Sequence, residues 1–446
     1  MRLSGLLVAM LALSPCGGIQ ASETLSSSFT PSLSPKEQEI ADWIDVHADD
    51  AIRLLQESVD IPSGTLNLDG VREVGALMRR ELDALGLETE WEPMPPEMNR
   101  AGHLLGHKDG TGKKFLLIGH LDTVFEVDDG NRPFEVVDGI ATGHGVYDMK
   151  AGNVIIVYAL KALKDAGLLD ELSLRVLYTG DEEKSGRPTS VSRRSLIAAG
   201  HWADIALGFE EAMYFDDTDW ATVARRSSSS WVLTVEGKQS HSSNIFNDET
   251  GAGAIFEAAR ILNGFYEEVR GEQHLTFNAG TIQGGTEVDY DAGQNRGTTF
   301  GKTNVVPRKV IVHGGMRTIT QEQLERARAA MRDIVANNLP HTGASIEFTD
   351  GYPPMAPTDG NLALQRQLSA INVALGRAPM PALDPSRRGA ADISYVAPHT
   401  DALAGLGAIG GGGHTPDEFV RLESMPLAIK RAALLIYRLS RADATD

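Results

Sequence analysis

The chain reads as an α/β protein, a mixed sheet flanked by helices, with a smaller α+β unit inserted between its two halves. Three observations point there. Apolar runs end in loops rich in acids and glycine and alternate with helical periodicity: FLLIGHLDTV, then AGNVIIVYALKALKDAG, then LSLRVLYTGDEE, then ADIALGFEEA. Strand, loop with acids, helix is the order of an open α/β sheet, in which ligands bind beyond the carboxyl ends of the strands. After about Thr222 the pattern changes to the alternating strands WVLTVEGKQSHSS, LTFNAGTIQGG and KVIVHGGMRT, mixed with amphipathic helices. The α/β pattern then resumes near Asn361. The implied division is a signal peptide over residues 1–21, a Ser/Thr-rich flexible leader over 22–33, a main domain over 34–221 and 354–446, and an insert over 222–353.

Each element has a local reason. Ser34-Pro35-Lys36-Glu37 is a capping box with proline at the first helical position, and Ile40, Trp43, Ile44, Ile52 and Leu55 follow at helical spacing. VREVGALMRRELDALG, residues 71–86, is a second amphipathic helix stopped by Gly86. In the insert, GAGAIFEAARILNGFYEEV and ITQEQLERARAAMRDIVANNL read as helices, the second opened by Thr320-x-x-Gln323, and ASIEFTDGY reads as a last strand. Thr415, Pro416 and Glu418 read as the cap, first-turn proline and capping-box acid of a final helix after His414.

Composition narrows the function classes. A formal charge of −20 over 446 residues argues against nucleic acid and anionic membrane surfaces as partners. Arg2 followed by LLVAMLAL reads as a secretory signal, too short to span a bilayer. Cleavage after Ala21 would start the mature chain at Ser22. The only cysteine, Cys16, sits in a faint lipoprotein-like context in which Pro15 is out of place. Both readings predict a secreted or periplasmic protein with no internal disulfide and no membrane span.

The chemistry-bearing residues lie beside glycines or at the ends of apolar runs. His120 and Asp122 are in GHLDTV, Asp148 in GHGVYDMKAG, Glu182 and Glu183 in GDEEKSG, Glu210 and Glu211 in GFEEA, and His414 in GGGGHTPDE. Two imidazoles and at least three carboxylates make a ligand set for two zinc ions, with one carboxylate left over as a base. Taken singly, each has an ordinary alternative. His-x-Asp can be a structural pair, Asp148 a helix cap, and Glu182-Glu183 or Glu210-Glu211 a solvated acidic loop. His144, between two glycines, is a spare candidate better suited to a loop role.

The ordered segments GHLDTV, GVYDMKAGN, GDEEKSG, GFE and GGGHTPDE resemble those of the glutamate carboxypeptidase and aminoacylase family of co-catalytic di-zinc exopeptidases and deacylases. The resemblance covers nearly all of the chain after the signal. It implies a zinc-exopeptidase-like catalytic domain and an insert that serves as lid and dimerisation domain. It implies two zinc ions per chain bridged by Asp148, with His120 and Glu210 on one and Glu183 and His414 on the other. Glu182 would be the general base and Asp122 would orient His120. In the insert, His241 would reach a partner subunit's active site in a homodimer and stabilise the oxyanion, and Asn304 and Arg317 would hold the substrate's carboxylate end. The implied substrate is a small peptide or an N-acyl amino acid. The chain departs from the family pattern in three places. Lys184-Ser185-Gly186 shuffles the usual glycine and serine. Glu211 replaces a proline, so the choice between Glu210 and Glu211 as ligand stays open. Asp392 of GAADISYVAP is a candidate for an aspartate in the substrate loop.

Overall fold

The computed structural model describes residues 32–291 and 296–441; the signal, leader and Cys16 lie outside the described residues. The main sheet has strands β1 (Glu88–Glu92), β2 (His103–Lys108), β3 (Lys114–His120), β4 (Ser173–Thr179), β5 (Ile205–Gly208) and, far along the chain, β10 (Asp401–Leu403). Their order is β1-β2-β4-β3-β5-β10. Strands β4, β3, β5 and β10 run parallel, and β1 and β2 close one edge in antiparallel pairs, so the sheet is mixed as expected.

Alternation along β3 decides what covers the sheet. Phe115 and Leu117 face one apolar core, and Leu116 and Ile118 face another. Helix α4 (Ala151–Asp165) occupies the first side and is buried nearly all round. A helix that is apolar on every face needs partners on every face. Helices α1 (Pro35–Val46), α2 (Ala48–Val59), α3 (Leu68–Leu85) and the C-terminal α9 (Ser424–Arg441) supply them. Helix α5 (Arg194–Trp202) covers the second side with residues around Ile393 and Val396.

The insert has its own sheet and core. Strands β6 (Ser228–Gly237), β7 (Thr276–Gly285), β8 (Lys309–Arg317) and β9 (Thr342–Tyr352) form an all-antiparallel sheet in the order β7-β8-β6-β9. Helices α6 (Gly253–Gly264) and α7 (Gln321–Ala336) pack on it around Trp231, Leu233, Phe265 and Met331. A further helix, α8 (Asp359–Ala374), returns the chain to the main domain beside β10. Thr320 caps α7 by accepting from the Gln323 amide at 3.1 Å, while the Gln323 side chain accepts from Ile319 rather than from the cap residue.

Two expectations are corrected. The first helix is broken at His47, whose Nδ1 bonds the Trp43 carbonyl at 2.8 Å and whose ring stacks on Trp43, so α1 and α2 are separate. The final helix does not begin at Thr415. The Thr415 hydroxyl turns back to the Gly412 carbonyl at 2.7 Å, residues 419–421 pair with residues 140–142, and α9 starts only at Ser424. Glu418 is not a cap because it is buried and committed elsewhere. Among the described residues, no helix is long and apolar enough to cross a membrane.

One close approach sets the position of the acidic end of β5. A Cβ on Gly152 in α4 would lie 1.9 Å from the Phe209 carbonyl oxygen, one residue before Glu210. Alanine is the better helix former by about 1 kcal/mol, but the overlap opposes it by about 1–3 kcal/mol. Gly152→Ala is therefore expected to lower the urea midpoint; a raised midpoint would show that helix and strand part freely.

Candidate metal centre and cleft

The sheet delivers its acids to one end. His120 is the last residue of β3, the 181–186 loop follows β4, and Glu210 and Glu211 follow β5. The His120 ring is 2 % exposed. Its Nδ1 lies 2.9 Å from the main-chain carbonyl of Asp122, which can only accept, so Nδ1 carries a proton and Nε2 is the nitrogen left for Asp148 or a cation. That Nε2 is 3.1 Å from Asp148 Oδ1. On the other side, His414 Nε2 is 3.1 Å from Asp148 Oδ2 and 3.3 Å from Glu183 Oε2. Asp148 thus stands between two imidazoles, and ligand atoms of His120, Asp148 and Glu183 lie within 4.8 Å of one another.

This donor set fits divalent cations. Glu183 Oε1 is buried without a hydrogen-bond partner. A buried, unpartnered carboxylate oxygen is costly unless a cation faces it. Proton affinities show the same tension. Burial pushes the Glu183 carboxyl up to about 7. Hydrogen bonds to Asp148 and Glu183 push His414 up to about 11. For His120, burial lowers proton affinity, but the Asp148 hydrogen bond and the charges of Asp148, Asp122 and Glu182 raise it well above the usual range. A cation replaces these shared protons when it binds.

Main-chain donors hold the acids in place. Glu418 Oε1 accepts from the amides of Tyr147 and Asp148, both at 2.7 Å, and Oε2 accepts from Gly145 at 3.0 Å. The Asp122 carboxylate accepts from the Thr65 hydroxyl at 2.7 Å and from the Glu182 and Glu183 amides at 3.0 and 3.1 Å. Its nearer oxygen is 3.6 Å from His120 Nδ1. Asp122 therefore meets His120 chiefly through its carbonyl and spends its carboxylate on the turn that carries both glutamates.

Glu182, Glu183, Glu210, Glu211, Asp148 and His414 line one cleft of about 380 Å³. Arg225 is 2.5 Å from Glu210 Oε2, and Arg388 is 2.9 Å from Glu211 and 3.5 Å from that same Glu210 oxygen. Glu210 Oε1 takes no such contact among the described residues. The Glu182 carboxylate, half-buried in the cleft, makes no hydrogen bond or ion pair among the described residues. Burial and the charges of Glu210 and Asp392 hold its proton affinity well above the usual range.

The insert residues are elsewhere. His241 and Asn304 are exposed neighbours, joined by the Ser242 amide on the Asn304 carbonyl at 2.9 Å. Arg317 lines a separate groove with Ser228, Thr276 and Asn278. None of the three lines the acidic cleft. His144 stacks on Phe125 with ring centroids 4.0 Å apart, outside the cleft. Asp392 is corrected. It is 2 % exposed, pairs with Arg193 at 2.7 Å and accepts from Thr179, so it supports the loop rather than facing substrate. Arg225, Arg388 and the cradling role of Glu418 were not foreseen.

Glu418→Gln replaces one acceptor oxygen by a donor facing main-chain N–H groups. Calorimetric titration of chelator-stripped protein with Zn²⁺ is expected to show affinity reduced about 10–100-fold. An unchanged Kd would remove Glu418 from the support of Asp148.

Comparison with known proteins agrees with this geometry. The model of peptidase family M20/M25/M40 matches residues 116–438, well over half of the chain. Carboxypeptidase G2 of Pseudomonas sp. (strain RS-16) is 25% identical over 391 residues, covering 86% of this chain and 88% of that protein. Succinyl-diaminopimelate desuccinylase of Dechloromonas aromatica (strain RCB) is 26% identical over 374 residues, covering 78% and 89%. The fold is that of aminopeptidase PepT from Bacillus cereus ATCC 10987, with TM-score 0.67, 18% identity and coverage of 88% and 98%. It is also that of the YXEP protein of Bacillus subtilis, described as a dinuclear metal binding peptidase from the M20 family, with TM-score 0.57, 15% identity and coverage of 89% and 99%. A sheet that gathers His120, Asp148, Glu183 and His414 at one end, and a family match running through all of them, place the chain in peptidase family M20/M25/M40, a family of metal-dependent hydrolases.

Proposed function

We propose that this hydrolase is a di-zinc exopeptidase of the glutamate-carboxypeptidase kind, cleaving an amide bond next to a free carboxylate. The observation that carries the reading is the Glu182 carboxylate. It faces the cleft beside the cation-fitting cluster, uncommitted to any partner and raised in proton affinity.

Asp148 would bridge two cations, with His120 and Glu210 on one side and Glu183 and His414 on the other. Bound there, two cations would acidify a water and polarise the scissile carbonyl. The remaining steps belong to the chain. Glu182 takes the proton from the attacking water and gives it to the leaving nitrogen; its raised proton affinity suits it to hold the proton in between. Asp122 fixes the turn beneath Glu182 and Glu183 and, through its carbonyl, the tautomer of His120. The insert would supply Arg317 and Asn304 to the substrate's carboxylate. A guanidinium suits that group because it bonds both oxygens at once.

His241 would act from a partner subunit, because it is exposed on the insert and away from its own chain's cleft. A homodimer through the insert follows, and a fully active monomer in sedimentation velocity would remove that role. Residues 1–21 would direct export to the periplasm. The second reading is an N-acyl amino acid deacylase, favoured by the similarity to the desuccinylases. A binding protein using the same cleft would have no need of a base at position 182.

Hydrolysis of C-terminal glutamate dipeptides, other dipeptides and N-acetyl amino acids, with and without chelator, separates these readings. Cleavage of the first group that chelator abolishes is expected. Glu182→Gln is expected to lower kcat roughly 10²–10⁴-fold with metal content unchanged. Wild-type turnover in that variant would overturn the mechanism.

A further inference from the structure

The two segments that join the insert to the main domain each send a side chain into the acidic cluster. They pair with one another, Arg225 and Met355 exchanging main-chain hydrogen bonds of 3.0 and 2.9 Å. Arg225, on the outgoing segment, holds Glu210. Tyr352, the last residue of β9 on the returning segment, donates its hydroxyl proton to the main-chain carbonyl of Glu182 at 2.6 Å.

That hydroxyl is the end of a chain of donors. A phenol has one proton, and the Glu182 carbonyl takes it. Ser185 Oγ, 3.1 Å away, must therefore donate to the tyrosine oxygen. Arg193, fully buried, donates to Ser185 Oγ at 3.0 Å and to the Asp181 carbonyl at 3.0 Å. Its charge is balanced by Asp181 and Asp392. Chains of this kind strengthen each member and fix its direction. A second tie, from Arg187 to the Asp350 carbonyl at 2.8 Å, fastens the same loop to the same end of β9. Asp122 holds the Glu182 amide, so the peptide on either side of the Glu182 Cα is bonded, one from the main domain and one from the insert. The carboxylate itself is left without a partner among the described residues.

We propose that Tyr352 is a positioning residue for Glu182, setting the direction of its carboxylate and tying it to the placement of the insert; this rests on the reading of Glu182 as the general base. Displacement of the end of β9 then moves the base, and the Tyr352 hydroxyl is the tie by which the insert's position reaches Glu182 itself.

Tyr352→Phe removes that hydroxyl and keeps the ring. With the fastest substrate of the panel above, kcat is expected to fall about 10–100-fold while KM, zinc content and the thermal midpoint stay close to wild type. Tyr395→Phe is the control. It removes a neighbouring hydroxyl that bonds the Gly351 carbonyl at 3.2 Å and does not touch Glu182. Its kcat is expected to match wild type. In a Glu182→Gln background, adding Tyr352→Phe is expected to leave the residual rate unchanged, because a residue acting through the base has nothing left to act on. An unchanged kcat in Tyr352→Phe overturns the proposal. So does an equal loss in Tyr395→Phe, or a full further loss in the double variant. Full turnover in Glu182→Gln alone would instead sink the assignment of the base, and the proposal with it.

Discussion

The structure depends on how one end of a sheet accommodates crowded negative charge. Asp122, Asp148, Asp181, Glu182, Glu183, Glu210 and Glu211 all follow strands of the main sheet or face their ends. Carboxylates so close cannot all stay ionised in a half-buried cleft unless something answers each charge. The fold answers them in different currencies. Asp181 has the buried Arg193, and Glu210 and Glu211 share Arg225 and Arg388. Asp122 has a hydroxyl and two amides. Among the described residues Asp148 and Glu183 have only imidazoles, and one Glu183 oxygen has nothing. The part of the cluster that the protein's own arginines leave unanswered, Asp148 and Glu183, is also the part whose ligand atoms gather closely enough with His120 to hold a cation. Among the described residues Glu182 stands outside every one of these pairings, as the proposed role of proton carrier requires.

The same ordering explains why polar support so far from the cations is so heavily buried. Removing one member of a buried ion pair typically costs about 3–5 kcal/mol, because the survivor keeps its desolvation penalty without its partner. Arg193 and Asp392 are separated by 199 residues in sequence, yet both are essentially inaccessible. Their pairing stabilises little by itself relative to an apolar pair. It fixes the loop in one place, and that loop carries Glu182 and Glu183.

Much of this was legible in the sequence because the chemistry-bearing residues sit where the main chain changes direction. His120, Asp148, Glu183 and His414 each adjoin glycines or the end of an apolar strand, and the structure brings these four together. The strands of the insert were equally plain, since period-two alternation has few other causes. What stayed hidden depended on distant partners. Thr415-Pro416-Asp417-Glu418 has every local mark of a helix start, but three amides of the 145–148 turn bind the Glu418 carboxylate more strongly than a cap would. Asp392 looked like a substrate contact because nothing nearby in sequence announces Arg193. Arg225 and Arg388 carry no signal of their own, since arginine is common on any surface and only burial beside Glu210 and Glu211 gives these two a role.

The replacement of proline by Glu211 shows how such a cluster tolerates change. An extra carboxylate beside Glu210 should disrupt a cation site, either by competing as ligand or by raising the proton affinity of its neighbours. Arg388, at the tip of the 385–390 turn, meets it at 2.9 Å and also reaches Glu210. The charge of Arg388 therefore offsets that of Glu211 within the cleft. Arg225 and Arg388 both meet Oε2 of Glu210, and Arg388 meets Oε2 of Glu211, so among the described residues each glutamate has one oxygen on an arginine and one without an ion pair. Charge balance alone therefore leaves both glutamates with an oxygen to offer, and the assignment of Glu210 as ligand rests on the proposed function.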